Sequence, residues 1–412
     1  MPVNYLHGVE VVQQTDAIRP VPLNPTATIG LIGTADNANP ALFPLNTPVL
    51  LNSQPRLAAQ LDTVGTGLGT LPQAVAQIYA EGGAAIVVVR VADDPLPANV
   101  MSNIIGSAAL GTGVNCFTQA RTLLGVTPKT LIAPGYTSQR PANTAVPGTF
   151  LANPVVGALL PIAQRLRARI YGDMPSTNYN DALAWRQDWS ARQVIGFFPM
   201  GEVWSTIANG YIAAPLSASM AGQTARVHAN NGFWYSSSNH ALLGIGGSAL
   251  PVDWQPSDMS SESNLLNQNG VNTIINTAAA GGAGWLRWGN DTCSTDPLWT
   301  FEAVGNCADA IYEALDMAYL WMVDKPFSPQ LILDGEAMIN RFLAYLVKLG
   351  ALVGGQAWID PELNTPANMQ SGIWNWSFDL EPPAPMEHII FNAWRNGDYY
   401  TQMVDRVAAL AL

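Results

Sequence analysis

Ala85 to Val91 reads AIVVVRV, a β-branched run with no polar alternation. Such a run suits a strand covered on both faces, as the strands of parallel sheets are. Upstream of it, Leu71 to Tyr79 has the character of a helix, and Thr26 to Gly33 (TATIGLIG) reads as a short apolar strand. Downstream, strand candidates at Lys129 to Ala133, Ala168 to Tyr171 and Val194 to Phe198 are separated by helix candidates at Val155 to Leu166 and Asp181 to Ala191. Strand and helix thus alternate from Thr26 to about Met200, which predicts an α/β domain with a largely parallel sheet.

Between Gly201 and Gly284 the chain is rich in Gly, Asn and Ser, and only Val271 to Ile275 stands out as a strand. Beyond it the periods return. Asp296 is a good N-cap and Pro297 a good first residue for a long amphipathic helix. Leu298, Phe301, Val304, Ala308, Ile311, Leu315 and Met322 follow at helical steps until Pro326 and Pro329. A second helix is expected over Gly335 to Leu349, with Met338, Phe342 and Leu346 on one face, and then a strand over Ala351 to Ile359. Ile373 to Leu380 alternates strictly, placing Trp374, Trp376, Phe378 and Leu380 on one side. Ile389 to Trp394 is a further strand candidate. The whole is α/β, or α+β taken end to end.

Both termini share one construction. Near the start, strand-forming residues around Val9 and Val11 are followed by Pro20, Pro22 and Pro25. Near the end, Pro382, Pro383 and Pro385 precede Ile389 to Trp394. Clustered prolines hold the backbone extended and remove donors. A short strand beyond such a linker must fold back or add itself to a sheet edge in another chain.

Composition narrows the function classes. Of 412 residues 48% are hydrophobic and only 12% charged, against roughly 25% charged in ordinary soluble domains. Either other subunits cover much of the surface, or Asn, Gln, Ser and Thr keep it wet. A net charge of −12 with three lysines, Lys129, Lys325 and Lys348, argues against nucleic acid as a partner. No stretch is long and apolar enough to predict membrane insertion, and no secretory signal is read at the N-terminus. Cys116, Cys293 and Cys307 are odd in number and irregular in spacing, which suits a reducing cytoplasm.

Chemical motifs are sparse. His7, His228, His240 and His388 are widely separated, and the cysteines match no zinc spacing. Gly65, Gly67 and Gly69 (GTGLG) invite comparison with a phosphate cradle, but neither G-x-x-x-x-G-K-[ST] nor G-x-G-x-x-G is present. Asp93 and Asp94 end a buried strand, where α/β enzymes place functional groups; a polar strand terminus before Pro95 is the simpler reading. No catalytic, cofactor-binding or metal residues are assigned. The alternation of the first half keeps a nucleotide- or sugar-handling α/β enzyme as the alternative.

Several segments together resemble the tail-sheath family of contractile phages and phage-tail-like bacteriocins. They are His7 to Val11 (HGVEV), ATIGLIGTA, Phe43 to Leu51 (FPLNTPVLL), Asn231 to Asn239 (NGFWYSSSN) and Asn264 to Ile275 (NLLNQNGVNTII). Leu286 to Trp299 (LRWGNDTCSTDPLW) is the most specific, resembling the "WGNRT" element, and WMVDKP and the Glu381-Pro382-Pro383 turn follow in order. The chain departs from the family at Asp291, where Arg is frequent, and in its Gly- and Ala-rich 278–284 stretch.

The resemblance implies a structural subunit, not an enzyme, polymerising as stacked hexameric rings around an inner tail tube and contracting to drive that tube through a cell envelope. It implies an N-terminal arm (1–25), an outer α/β domain (26–284), an inner C-terminal domain (285–385) and a C-terminal arm (386–412). Exchanged strands would carry His7, Val9 and Val11 at one end and Ile389, Phe391 and Trp394 at the other, with Trp374, Trp376 and Phe378 on the receiving sheet. Arg341 and Lys348 would face the tube. The implied partners are further copies of the chain, the tube protein, and baseplate and tail-terminator proteins. No cofactor is implied. The implied location is the virion tail, assembled in the bacterial host cytoplasm. A tube subunit is a poor match, being much smaller and mainly β.

Overall fold

The computed structural model describes Val21 and residues 27–278 and 281–410. Among these, six strands form one sheet in the order β2-β3-β1-β4-β5-β6: β1 (Ile29–Thr34), β2 (Pro48–Asn52), β3 (Ala85–Val91), β4 (Thr130–Ile132), β5 (Arg169–Asp173) and β6 (Val194–Phe197). All neighbours are parallel except β2, which lies antiparallel on β3. The connecting helices are α1 (Pro55–Ala58), α2 (Leu71–Ala80), α3 (Pro97–Ile105), α4 (Ala120–Leu124), α5 (Pro154–Leu166) and α6 (Tyr179–Gln187).

The apolarity of β3, interrupted only by Arg90 near its end, has the expected cause. Val87, Val89 and Val91 join Val100, Val155, Leu159 and Trp185 on one face, while Ile86 and Val88 join Leu71, Val75, Ile78 and Tyr171 on the other. With both faces covered, both phases of the strand are dominated by apolar residues.

The Gly-, Asn- and Ser-rich middle is more ordered than its sequence suggests. A three-stranded antiparallel sheet in the order β8-β7-β9, made of β7 (Gly201–Ser205), β8 (Gly210–Ala214) and β9 (Ile245–Ser248), accompanies the buried helix α7 (Ser217–Asn231). Small side chains let α7 bury nearly all round, so it lacks the apolar stripe that sequence reading seeks. A Cβ on Gly222 would come within 2.9 Å of Glu81 Cβ and 3.0 Å of the Ile78 carbonyl, so only glycine admits this approach to α2. After α8 (Glu262–Gln268), β10 (Thr273–Asn276) pairs antiparallel with β11 (Trp285–Trp288), so the 284/285 boundary falls inside one ladder.

The C-terminal third corrects several expectations. Asp296 does cap, accepting from Leu298 N at 3.0 Å, but it opens only a 3-10 turn at Pro297–Trp299. The long helix, α9 (Glu302–Ala318), starts five residues beyond Pro297, and α10 (Pro329–Leu349) begins a turn and a half before Gly335 because Ser328 and Pro329 make a better start. Ile311, Ala314, Ile339, Phe342, Leu343 and Leu346 form the core between the two helices.

The strand expected over Ala351 to Ile359 shrinks to β12 (Ala357–Trp358), and α11 (Pro366–Gln370) follows. The alternating Ile373 to Leu380 contributes only β13 (Ser377–Phe378), antiparallel to β12. Two strands make a marginal sheet. Ile389 to Trp394 forms no strand within the chain, and α12 (Asp398–Leu410), absent from the sequence reading, follows it.

Candidate assembly surfaces and the junction behind them

A buried ionic bolt joins the α/β body to the C-terminal helices. Arg287 on β11 is wholly enclosed and forms an ion pair with Glu302, the first residue of α9. Its Nη1 donates to Thr224 Oγ1 of α7 at 3.0 Å and its Nε to the Gly289 carbonyl at 3.2 Å. The guanidinium also lies 5.0 Å from the Phe197 ring, and Tyr171 of β5 donates its hydroxyl to Glu302. Burial opposes charge on Glu302, yet Arg287 and the Tyr171 hydroxyl outweigh it and hold the carboxyl below its usual range.

A second seam runs along α9. Asp309 takes Arg169 and Arg192 at 2.7 Å each, Glu313 takes Lys129 at 2.7 Å, and Asp316 pairs with Arg167. Arg167 and Arg169, two of the three arginines clustered over Arg165 to Arg169, are thus engaged within the chain. Beside this seam lies a cavity of about 20 Å³ lined by Lys129, His228, Asp309 and Glu313, room for about one water molecule. Among the described residues neither ring nitrogen of the buried His228 has a hydrogen-bond partner, and burial pulls its pKa down to about 4.

The features that invited an enzymatic reading have structural occupations. In the GTGLG loop, the Gly65 and Gly67 amides donate to the Asp62 carboxylate at 2.9 and 2.6 Å. Those bonds, Gly67 foremost, pull the Asp62 pKa down, so the cradle already holds the chain's own anion. Asp94 accepts from Leu96 N at 2.8 Å and Asn99 Nδ2 at 3.0 Å, a turn cap ahead of α3. Asp173, at the C-terminal end of β5, accepts from Ser217 N at 2.8 Å and Ser217 Oγ at 2.7 Å at the start of α7, while burial pushes its pKa up to about 6. Cys116, Cys293 and Cys307 are buried free thiols.

The expected assembly residues fall into four groups. His7, Val9 and Val11 lie outside the described residues. Trp374, Trp376 and Phe378 are half-buried: Trp376 donates Nε1 to the Ile332 carbonyl of α10 at 3.2 Å and packs on Tyr319, Phe378 meets Tyr312 of α9, and Trp374 lies against Trp376 and Phe327. Past β13, Glu381 N donates to the Gly354 carbonyl at 3.0 Å and Val353 N to the Glu381 carbonyl at 2.8 Å, prolonging the two-stranded pairing. Arg341 and Lys348 are exposed on α10, seven residues and two turns apart on one face.

The C-terminal arm contrasts with all of this. Ile389, Phe391 and Trp394 are exposed, Phe391 at 88%. On α12, Tyr400, Met403, Val404 and Val407 recur at three- and four-residue steps, yet no residue of that helix is buried. Their spacing was a readable helix signal, hidden by treating the whole segment as a strand-bearing arm. An isolated 13-residue helix is marginal in water unless its apolar face is packed.

Comparison with known proteins defines the class. Residues 294–393 match the phage tail sheath C-terminal domain. The tail sheath protein of Escherichia phage P2 is 28% identical over 414 aligned residues, covering 98% of this chain and 99% of that one. A putative prophage major tail sheath protein of Pseudomonas aeruginosa (strain UCBPP-PA14) is also 28% identical, over 98% of this chain and all of its own length. The helical sheath of the anti-feeding prophage in its contracted state superposes with a TM-score of 0.70 at 19% identity, over 96% of this chain and 100% of that one. Residues 294–393 are therefore similar to the tail-sheath C-terminal domain, and the chain as a whole is similar, nearly end to end, to contractile tail sheath proteins and shares the sheath fold.

Proposed function

We propose that this chain is the structural subunit of a contractile tail sheath, stacking as hexameric rings around an inner tube and contracting to drive that tube through a cell envelope. The observation that carries the reading is the end-to-end likeness to tail sheath proteins, in sequence and fold, at nearly full length on both sides. The uncovered arm fits it. Residues 389–394 would add a strand to the short β12–β13 ladder of a neighbour, and the apolar face of α12 would pack beside it.

A strand of this length makes about five backbone hydrogen bonds, each worth a net ~0.5–1.5 kcal/mol. Repeated at every subunit, such exchange lets orientations change without loss of connectivity. His7, Val9 and Val11 would make the reciprocal contact from the N-terminal arm. Arg341 and Lys348 are assigned to the tube-facing surface of α10. Tube, baseplate and terminator proteins are the expected partners, assembly is expected in the host cytoplasm, and no catalytic role is assigned. The division into arm, outer domain, inner domain and arm is kept, with β10 and β11 as the strands that straddle its central boundary.

The deciding experiment is negative-stain microscopy of the full chain, co-expressed with the tube protein of the same gene cluster, beside a variant ending at Pro385. Hollow tubes from the full chain and none from the truncation support the sheath and its arm. Tubes from both would remove the arm from the reading, and discrete particles from both would remove the sheath.

A further inference from the structure

The small cavity beside the α9 seam is walled by polar side chains whose hydrogen bonding is incomplete. Thr130 of β4 and Asn306 of α9 line it together with Lys129, His228, Asp309 and Glu313. His228 is 9% exposed, and neither of its ring nitrogens is partnered among the described residues. It lies one turn beyond Thr224, which touches the bolt through Arg287. On α9, Asn306, Asp309 and Glu313 follow Glu302 at steps of four, three and four, so bolt and cavity share one face of that helix.

The charges around the cavity do not cancel. Asp309 gives one oxygen to Arg169 and the other to Arg192, Glu313 pairs with Lys129, and Asp316 pairs with Arg167. These three carboxylates thus meet four cations, and the neighbouring Arg287–Glu302 pair is already matched. Donors are left over as well. Nε and Nη2 of Arg169 and Nη1 of Arg192 are buried without a partner among the described residues. A Cβ on Gly305 would collide with that Nη2, which places it against α9 at the residue before Asn306. An unmatched buried donor is costly, and more so on a charged group. A water molecule accepts a hydrogen bond but leaves the surplus positive charge where it is.

We propose that this cavity binds one small monovalent anion, chloride being the simplest, held by His228, Thr130 and Asn306 and retained by the surplus charge of the seam. The two carboxylates in the wall do not oppose it, because Asp309 is shared by two guanidiniums and Glu313 is neutralised by Lys129. A volume of about 20 Å³ admits one water-sized particle and excludes phosphate or sulfate. Half-exposed Asn306 gives the ion a path in. Bound there, the anion joins α7 and β4 of the body to α9 beside the ionic seam. The site lies within one chain, so it stands or falls independently of the sheath reading.

Sodium chloride is the probe, with sodium gluconate at equal ionic strength as the control. In the dispersed full chain labelled at histidine, the ring signal that disappears in His228→Gln identifies His228. It should shift saturably with chloride and stay still in gluconate. The melting temperature should rise by about 2–4 °C in chloride over gluconate once the site is filled. Asn306→Leu occupies the cavity without touching the ion pairs and should abolish both responses; circular dichroism would establish that it folds. Lys325→Met, outside the site, should alter neither. A His228 signal that ignores chloride means a cavity holding water only and overturns the proposal, whatever the variants do. So does a chloride response that survives Asn306→Leu.

Discussion

Replacing Arg287 by Met tests whether the buried bolt behaves as an ion pair. Methionine keeps much of the length and packing but removes the charge. The side chains of Arg287 and Glu302 are 0% and 4% exposed, so the surface regime of about 0–1 kcal/mol does not apply. The substitution removes the donors to Thr224 and Gly289 and leaves a buried carboxylate with only the Tyr171 hydroxyl beside it. Loss of one partner of such a pair costs about 3–5 kcal/mol.

The pH dependence should change sign as well. In the wild type the folded carboxyl of Glu302 lies below its ordinary 4.5. Its contribution is therefore present above that value and lost as pH falls through the folded pKa. Without Arg287, burial dominates and the folded pKa rises above the unfolded one. The contribution is then fully present below the ordinary carboxylate value of 4.5 and disappears as pH rises through the raised folded pKa. Urea denaturation of the dispersed chain, followed by tryptophan fluorescence across that range, reads both effects. Adding Glu302→Gln to Arg287→Met should flatten the pH slope. A cost below about 1 kcal/mol, the surface value, or a wild-type pH slope in the single variant would refute the reasoning.

Asn153→Ala should destabilise by about 2 kcal/mol, the upper range for a lost N-cap, because Asn153 caps α5 through Val155 N and Val156 N and also donates to the Tyr136 and Gln139 carbonyls; thermal denaturation checks it. Gly335→Ala sets helix propensity, worth about 1 kcal/mol in favour, against a Cβ that would sit 2.6 Å from Trp376 Cζ2. The clash should win, since Trp376 is pinned by the Ile332 carbonyl, leaving a net loss of about 1 kcal/mol and a shift in tryptophan emission. Arg341→Glu with Lys348→Glu should leave the melting temperature within about 2 °C, as expected of exposed surface changes, but abolish co-sedimentation with the tube protein; unchanged co-sedimentation would move the tube contact off this face of α10.

Ala85 to Val91 and its flanking periods were enough to place the α/β sheet, because a doubly covered parallel strand has a one-dimensional signature. The helix α10 was legible through its apolar stripe. Helix α7 was not, because Ser, Ala and Gly pack by smallness and leave no stripe. Nor was the use of Asp62 in its own glycine loop, since the spacing of GTGLG does not say which anion lies in it. The Arg287–Glu302 bolt joins residues fifteen positions apart in sequence through a third and fourth partner on β5 and α7. Nothing local to either residue marks it.

The arm divides sequence from structure most sharply. From the residues alone, the prolines and the apolar Ile389 to Trp394 predict a tethered segment that either folds back or adds to a sheet edge in another chain. Whether it folds back depends on whether its own body offers a free, matching surface, which is a property of three-dimensional packing. The structure shows Ile389, Phe391, Trp394 and the apolar face of α12 left uncovered, with only a two-stranded ladder in the C-terminal part. Sequence determined the strands, helices and linkers, because those follow from local sterics and periodicity; the tertiary structure decided which surfaces remained uncovered, because burial depends on residues distant in the chain.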